Sequence, residues 1–281
     1  MNSKSSLLSQ PIKEKFESQL EDTDSYTSQQ LITSDLLISV IIPMYNEEKT
    51  IKNLIERFPN HRKYEIIIVD GGSTDNSINN IRKIKNKDLK IIQQEKKQGY
   101  GAAILRGLMY ARGDVIVTID SDGQHNPEEI SMLIEPLIKE DADLVIGSRY
   151  LGSSSYKIPL HTRFGELVVK LCLKYLYGQN VGNNQSGFRA FKRELLKLFI
   201  EIDNNGMAFT TEFLFKAMEA EKKILEIPIT LNSRSYGTSY VNLFKIIISI
   251  LLVIIKYSIT RFKITQLVFK KIIPYLKFLT K

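Results

Sequence analysis

Val115-Ile116-Val117-Thr118-Ile119-Asp120-Ser121-Asp122-Gly123-Gln124-His125-Asn126-Pro127 is the stretch whose reading decides the fold. Five β-branched residues in a row describe a strand buried on both faces, and they run directly into two carboxylates. Such a strand delivers Asp120 and Asp122 to the rim of a sheet, where the crevice outside the carboxyl ends of parallel strands takes ligands. Two aspartates separated by one residue can share a hard divalent cation with a phosphate-bearing ligand. Gly123 allows a tight turn, and Asn126-Pro127 suits the cap and first position of a helix.

Competing readings of the acidic pair are separated by the residues after it. A calcium loop of the EF-hand type is excluded, because Gly123 comes too early and Ser131 stands where the closing glutamate is required. A phosphatase-type Asp-x-Asp-Gly nucleophile stays open, although Gln124-His125-Asn126-Pro127 is an unusual continuation for it. An ordinary solvated turn is the plain alternative. Gly99-Tyr100-Gly101 lacks the third glycine of a dinucleotide fingerprint, with Ile104 in its place, and reads as a helix entry.

Outward from this stretch, apolar runs and helical periodicities alternate. Ile38–Ile42, Ile66–Val69, Leu89–Ile92, Val115–Ile119 and Leu144–Ile146 read as strands. Between them, Ile51/Leu54/Ile55/Phe58, Ile78/Ile81, Leu105/Leu108 and Ile130/Leu133/Ile134/Leu137/Ile138 mark helix faces, with Pro136 expected to shorten or kink the last. The order predicts an α/β domain with a mainly parallel sheet covered by helices on both faces. Beyond Arg149 we expect a flexible Ser-rich loop over 152–156, an amphipathic helix over 164–177, an extended segment over 186–189 and helices over 193–200 and 211–220. An extended segment is expected over 224–231. Asp70 ends a strand and is either a turn acid or an acceptor for a base or ribose. Glu212 is either a helix-start acid or an acceptor-site carboxylate. Arg149, Arg163, Arg189 and Arg234 follow the acid-lined strands and together could hold a second phosphate.

The chain has 281 residues and a net charge of +8, with a single Cys172 that excludes an internal disulfide. Eight of the 39 basic residues and none of the 31 acidic ones lie in 241–281, so the body is neutral and the tail holds the excess. A nucleic-acid binder would place a basic face on its folded domain, whereas an apolar, basic tail argues for an anionic membrane surface. We therefore divide the chain into a mobile polar leader over 1–35, a domain over 36–240 and a membrane-associated tail over 241–281. The leader has room for a short helix over 12–20 but no apolar core of a secretory signal. Leu243–Phe262 has the nominal length to span a bilayer, but Lys245 and Lys256 interrupt it and fall on one helix face. That favours a helix lying in the interface with both lysines snorkelling, over a single or re-entrant span.

Taken in order, Val40-Ile41-Ile42-Pro43-Met44-Tyr45-Asn46-Glu47-Glu48, Ile68-Val69-Asp70-Gly71-Gly72-Ser73-Thr74-Asp75, Gly99-Tyr100-Gly101-Ala102, Asp120-Ser121-Asp122-Gly123-Gln124, Gly147-Ser148-Arg149 and Ser186-Gly187-Phe188-Arg189 resemble the inverting family 2 glycosyltransferases. The branch they are most similar to is the dolichyl- or polyprenyl-phosphate mannosyl- and glucosyltransferases. The resemblance implies a GT-A fold, a GDP- or UDP-sugar donor such as GDP-mannose or UDP-glucose, and a polyprenyl phosphate acceptor at the membrane. It also implies Mg²⁺ or Mn²⁺. By position, Pro43, Tyr45, Glu47 and Asp70 would line the nucleoside pocket. Asp120, Ser121, Asp122, Gln124 and Arg234 would face the donor diphosphate, with the metal on Asp120, Asp122 and Gln124. Arg149 and Arg163 would hold the lipid phosphate. Gly71, Asn183 and Tyr240 stand where relatives often have Asp, Asp and Lys. The expected setting is peripheral or monotopic membrane attachment with the catalytic domain in the cytoplasm. The alternatives are transfer to a saccharide or protein hydroxyl, which needs a base such as Glu212, and a non-catalytic nucleotide-sugar-binding adaptor.

Overall fold

The computed structural model describes residues 36–59, 62–85, 88–94, 98–202, 204–234 and 243–262. The leader, the stretch over 235–242 that holds Tyr240, and the part of the basic tail over 263–281 lie outside the described residues. The first half alternates strand and helix as its apolar runs dictate: β1 (Leu37–Met44), α1 (Ile51–Glu56), β2 (Lys63–Asp70), α2 (Ser77–Arg82), β3 (Leu89–Gln93), α3 (Tyr100–Leu108) and β4 (Val115–Thr118). A 3-10 turn over Pro127–Glu129 leads into α4 (Ile130–Lys139), and then come β5 (Leu144–Ser154) and α5 (Leu160–Tyr177). The last elements are β6 (Arg189–Lys192), a 3-10 helix (Arg193–Glu201), α6 (Phe209–Glu219), β7 (Ile224–Leu231) and α7 (Leu243–Phe262).

The strands form one sheet in the order β3-β2-β1-β4-β6-β5-β7. β1 pairs in parallel with both β2 and β4, while β6 runs antiparallel between β4 and β5. The chain therefore turns back at β1, moving outward to β2 and β3 on one side and to β4 on the other. A crevice opens at such a switch point, because the connections on its two sides leave over opposite faces.

Both faces of the sheet are buried, which explains why its strands read as unbroken apolar runs. Ile38, Val40, Ile42, Ile66, Ile68, Val115 and Val117 pack beneath α1, α2 and α4. Ile41, Ile67, Val69 and Ile116 pack against α3, α5, α6 and α7. At the far end of the sheet from the crevice, the Ser39 hydroxyl donates to Glu65 Oε2 at 2.7 Å and accepts the Arg112 and Gly113 amides. Arg112 Nε closes the cluster on Glu65 Oε1 at 2.8 Å.

The extended stretch expected over 186–189 runs into β6. Several local expectations are corrected. Gly152–Ser154 are not a flexible loop: Ser153 and Ser154 pair with Thr230 and Leu231, past an irregularity that begins at Ser148. Residues 193–201 wind as a 3-10 helix. α4 continues through Pro136 to Lys139. Asn126 does not cap the helix after it; its Oδ1 accepts Arg57 Nη2 and Asn232 Nδ2 instead. α7 has the expected bounds, but Lys256 does not snorkel. Ile248, Val253, Ile254 and Tyr257 are buried against the body, and Lys256 Nζ meets Glu212 Oε1 at 2.7 Å. Among the described residues no helix is long and apolar enough to cross a membrane.

Burial pushes the Glu65 carboxyl up, but hydrogen bonds from the Arg112 backbone, Ser39 and the Arg112 side chain, with the guanidinium charge, outweigh it and hold the pKa below the ordinary value. A depressed folded pKa means stability that is present above the unfolded pKa and lost as pH falls through the folded one. Glu65→Gln should lower stability at pH 7 by about 1–3 kcal/mol. In urea melts across pH 3–7 the gap from the unsubstituted protein should close at the acid end.

Candidate functional site

Asp120 and Asp122 leave β4 at the switch point, and the backbone around them is fixed from β1. The Ser121 hydroxyl donates to the Pro43 carbonyl at 2.8 Å, and the Thr50 hydroxyl donates to the Ser121 carbonyl at 2.8 Å. The acidic turn is thus sewn to the end of β1 and the start of α1. It floors an open cleft of about 660 Å³, which Pro43, Glu47, Ser121 and Gln124 also line. Tyr100 and Met207 form one wall, and Tyr156, Ser233 and Arg234 complete the lining.

Two like charges, partly withdrawn from water, set the electrostatics of this floor. Asp122 Oδ2 accepts Arg234 Nη2 at 3.0 Å and its Oδ1 accepts the Gln124 amide at 3.1 Å. Asp120 bonds the Tyr100 hydroxyl. Desolvation and the Asp122 charge push Asp120 up to about 7, against the pull of the Tyr100 bond and of Arg234 and Arg189. Asp120 fits only because residue 187 is glycine: a Cβ there would stand 2.4 Å from Asp120 Oδ1. Burial likewise raises Glu47, whose carboxylate lies 3.0 Å from the Thr50 hydroxyl oxygen and faces Arg234 at 3.8 Å. His125 is buried against Phe188, and burial pushes its pKa down to about 4, so it is a neutral neighbour of the acids.

Could a cation sit here? Among the described residues no three His, Cys, Asp or Glu side chains converge on one point. Two neighbouring carboxylates, one with its pKa raised by desolvation and by the charge of the other, with the Gln124 side chain beside them, nevertheless fit a hard ion that completes its shell with ligand phosphate and water. Gln124 holds its place by donating Nε2 to the Asn232 carbonyl at 3.0 Å.

Seven of the expected residues meet in this cleft: Pro43, Glu47, Asp120, Ser121, Asp122, Gln124 and Arg234. Asp70 does not line it. Its carboxylate is buried and accepts the Gly72 and Ser73 amides and the Ser73 hydroxyl, so it shapes its own turn. Tyr45 lies over Gly71, where a Cβ would be 3.6 Å from its ring. Arg189 is not a phosphate ligand, because it is buried and gives its donors to the Ser186, Thr210 and Asn184 carbonyls. Glu212 is no general base in the cleft. It is fully buried, with one oxygen on Lys256 and the other on Asn204. Tyr100, Met207 and Tyr156 were not singled out from the sequence for the cleft; for Tyr100 the signal was its place between two glycines at a helix entry.

A second cavity, of about 380 Å³, lies beside the other pair of arginines. Arg163, Lys170 and Glu166 from α5 line it with Tyr150, Phe164 and Leu167. Arg149 is nearly buried and bonds Glu166 Oε1 at 2.7 Å, and the Tyr150 hydroxyl meets the other Glu166 oxygen. Along α5, Leu160, Phe164, Leu167, Leu171 and Tyr175 form one exposed stripe at spacings of three and four residues.

Comparison with known proteins bears on this geometry. The family described as Glycosyl transferase family 2 matches residues 39–199. The chain is 35% identical over 242 residues to the UDP-N-acetylglucosamine–dolichyl-phosphate N-acetylglucosaminyltransferase of Methanococcus voltae, covering 78% of this chain and 96% of that protein. It is 34% identical to the dolichol-phosphate mannosyltransferase of Pyrococcus furiosus over 72% of this chain, but spans only 58% of that protein. In fold it is similar to glucosyl-3-phosphoglycerate synthase from Mycobacterium tuberculosis, solved with Mn²⁺, UDP and phosphoglyceric acid. The TM-score is 0.62 with 24% identity, over 84% of this chain and 83% of that one.

The raised pKa of Asp120 works against the fold at high pH. Its contribution to stability is complete below about pH 4 and is lost as pH rises through about 7. In EDTA, Asp120→Asn should therefore melt higher than the unsubstituted protein at pH 8, by about 2–4 °C for each kcal/mol of repulsion relieved. The difference should vanish near pH 4, and added Mn²⁺ should stabilise only the unsubstituted protein. Thermal melts at three pH values read all of this.

Proposed function

The chain belongs to glycosyl transferase family 2, with the GT-A fold, and from that we propose that it moves a hexose from a nucleoside-diphosphate donor to a polyprenyl phosphate at a membrane surface. The observation that carries this reading is the pairing of two cavities. One is acid-floored at the switch point; the other is cationic and apolar, on a helix whose outer face is an apolar stripe. Donors in the family's named relatives include a UDP-sugar, and we keep GDP-mannose and UDP-glucose as candidates beside UDP-N-acetylglucosamine.

Each residue then has a task its surroundings suit. Pro43 and Glu47 border the nucleoside side of the cleft, and Arg234 reaches across it toward the diphosphate. Asp120, Asp122 and Gln124 would hold Mg²⁺ or Mn²⁺, which when bound offsets charge on the departing nucleoside diphosphate. Arg163, with Arg149 steadied by Glu166, offers guanidinium donors to the acceptor phosphate. A lipid phosphate is already ionised at neutral pH, so its oxygen can attack the anomeric carbon without a protein base. The anomeric carbon–oxygen bond to the diphosphate breaks as the new bond forms from the opposite face, which inverts the centre. The buried, occupied state of Glu212 agrees with an acceptor that needs no deprotonation. The exposed leucines and Phe164 of α5, flanked by Arg163, Lys170 and Lys174, suit an anionic lipid surface.

Purified full-length protein given polyprenyl phosphate in detergent and each radiolabelled donor in turn should yield a chloroform-soluble product with one of them. EDTA or Asp122→Ala should abolish that product. Persistence of full activity under either would remove the metal from the scheme. Arg163→Ala should raise the acceptor KM on the order of tenfold, the equivalent of one charge-assisted contact, with the donor KM within about twofold.

A further inference from the structure

The C-terminal helix α7 is joined to the cleft by a continuous line of polar contacts that the reaction scheme leaves unused. Its starting point is Lys256, whose Nζ meets Glu212 Oε1 at 2.7 Å. Glu212, on α6, is fully buried, and its second oxygen accepts both the backbone amide of Asn204 at 3.0 Å and the Asn204 Nδ2 at 2.6 Å. A buried carboxylate is tolerated only where charge and hydrogen bonds both compensate it, and here Lys256 brings the charge while Asn204 brings the hydrogen bonds.

What Glu212 holds is a wall of the cleft. The carbonyl of Asn205 accepts the Ala102 amide at 3.0 Å, and the backbone of Asn204–Gly206 lies directly on the entry of α3. The contact is so close that a Cβ on Gly99 would stand 2.5 Å from the Asn205 oxygen, and one on Gly101 2.5 Å from the Asn204 oxygen. Between those glycines stands Tyr100, which lines the cleft and bonds Asp120; Met207, next after the loop, lines it too. The line therefore runs from Lys256 through Glu212 and the 204–206 backbone to Tyr100 and the acidic floor.

We propose that Lys256, Glu212 and Asn204 form a latch through which α7 holds the Tyr100–Met207 wall of the cleft, making the C-terminal helix a positioning element of the active site. These are positioning residues, since none touches the cleft. The bland role for such a pair is to pin α7 to the body. Two observations go beyond it: the acid is shared between the helix and a loop, and the loop leans on glycines that admit no slack. Seating of α7 is thereby felt at the floor that holds the donor.

The test uses full-length protein and begins without substrate. In hydrogen–deuterium exchange, Lys256→Met should speed exchange on the order of tenfold at 204–207 and 99–103 as well as in α7. Exchange that quickens in α7 alone overturns the latch. If Lys256→Met does not fold, Asn204→Ala carries the same question from the other end: it should quicken exchange at 99–103 while α7 stays protected, and unchanged exchange there overturns the proposal. In transfer assays each variant should lose kcat on the order of tenfold with the donor KM within about twofold, and Lys256→Arg should recover most of it. Residues acting through one line are not additive, so the double variant should lose little more than the worse single one. Losses that multiply to about a hundredfold overturn the proposal. The exchange arm is independent of the acceptor: a protein that exchanges as expected yet glycosylates no polyprenyl phosphate keeps the latch and loses the acceptor reading.

Discussion

The desolvation of the Asp120–Asp122 pair, to which the repulsion between the two carboxylates adds, is the constraint on which the cleft depends. Two carboxylates one residue apart, partly withdrawn from water, oppose folding unless cations and donors surround them. Arg189 supplies charge from beneath, Arg234 from across the cleft, and Tyr100 a hydroxyl from the wall. Each comes from a different element, so the acids draw together β6, the segment after β7 and the entry of α3. The raised pKa of Asp120 is a cost to the folded state, which a cation bound between the two carboxylates would relieve.

The sheet supplies the rigidity that this arrangement needs. Burying both faces forces polar function to the strand ends, and the reversal of direction at β1 places the ends of β1 and β4 on one crevice. Side-chain bonds from Ser121 and Thr50 then lock the acidic turn to the end of β1 and the start of α1 across 70 or more residues of chain. Glycine at 187 lets the backbone leading into β6 come within contact of Asp120, where any side chain would collide. Away from the cleft, α5 and α7 present different faces to their surroundings. α5 exposes an apolar stripe, while α7 turns Val253, Ile254 and Tyr257 inward and exposes Phe244, Ile247 and Leu251.

Most of the parallel half of the fold was legible in the sequence, because strands buried on both faces must be written as β-branched runs and helices between them as apolar spacings. Legibility failed where burial depends on specific polar contacts. Arg189-Ala190-Phe191-Lys192 alternates charge with apolar residues and does not read as an inner strand. It becomes one because Arg189 finds three carbonyls and Lys192 finds Asp141. Lys256 on an apolar helix read as a snorkelling side chain for the same reason: its partner lies 44 residues away and leaves no local signal. Arg189 looks like a site residue from its place at a strand end, and only its hydrogen bonds show its donors committed to backbone carbonyls; those of Asp70 show it bracing its own turn.

By itself the sequence determined the strand-and-helix order, the acids at the end of β4 and the family motifs around them, all of which depend on neighbours close in the chain. The tertiary structure decided which cation answers which acid. Arg234 meets Asp122 across 112 residues, Arg149 is steadied by Glu166, and Glu212 is withdrawn from chemistry into a contact with Lys256. Charge pairing is settled by distance and desolvation in three dimensions, and neither is written in the spacing of residues along the chain.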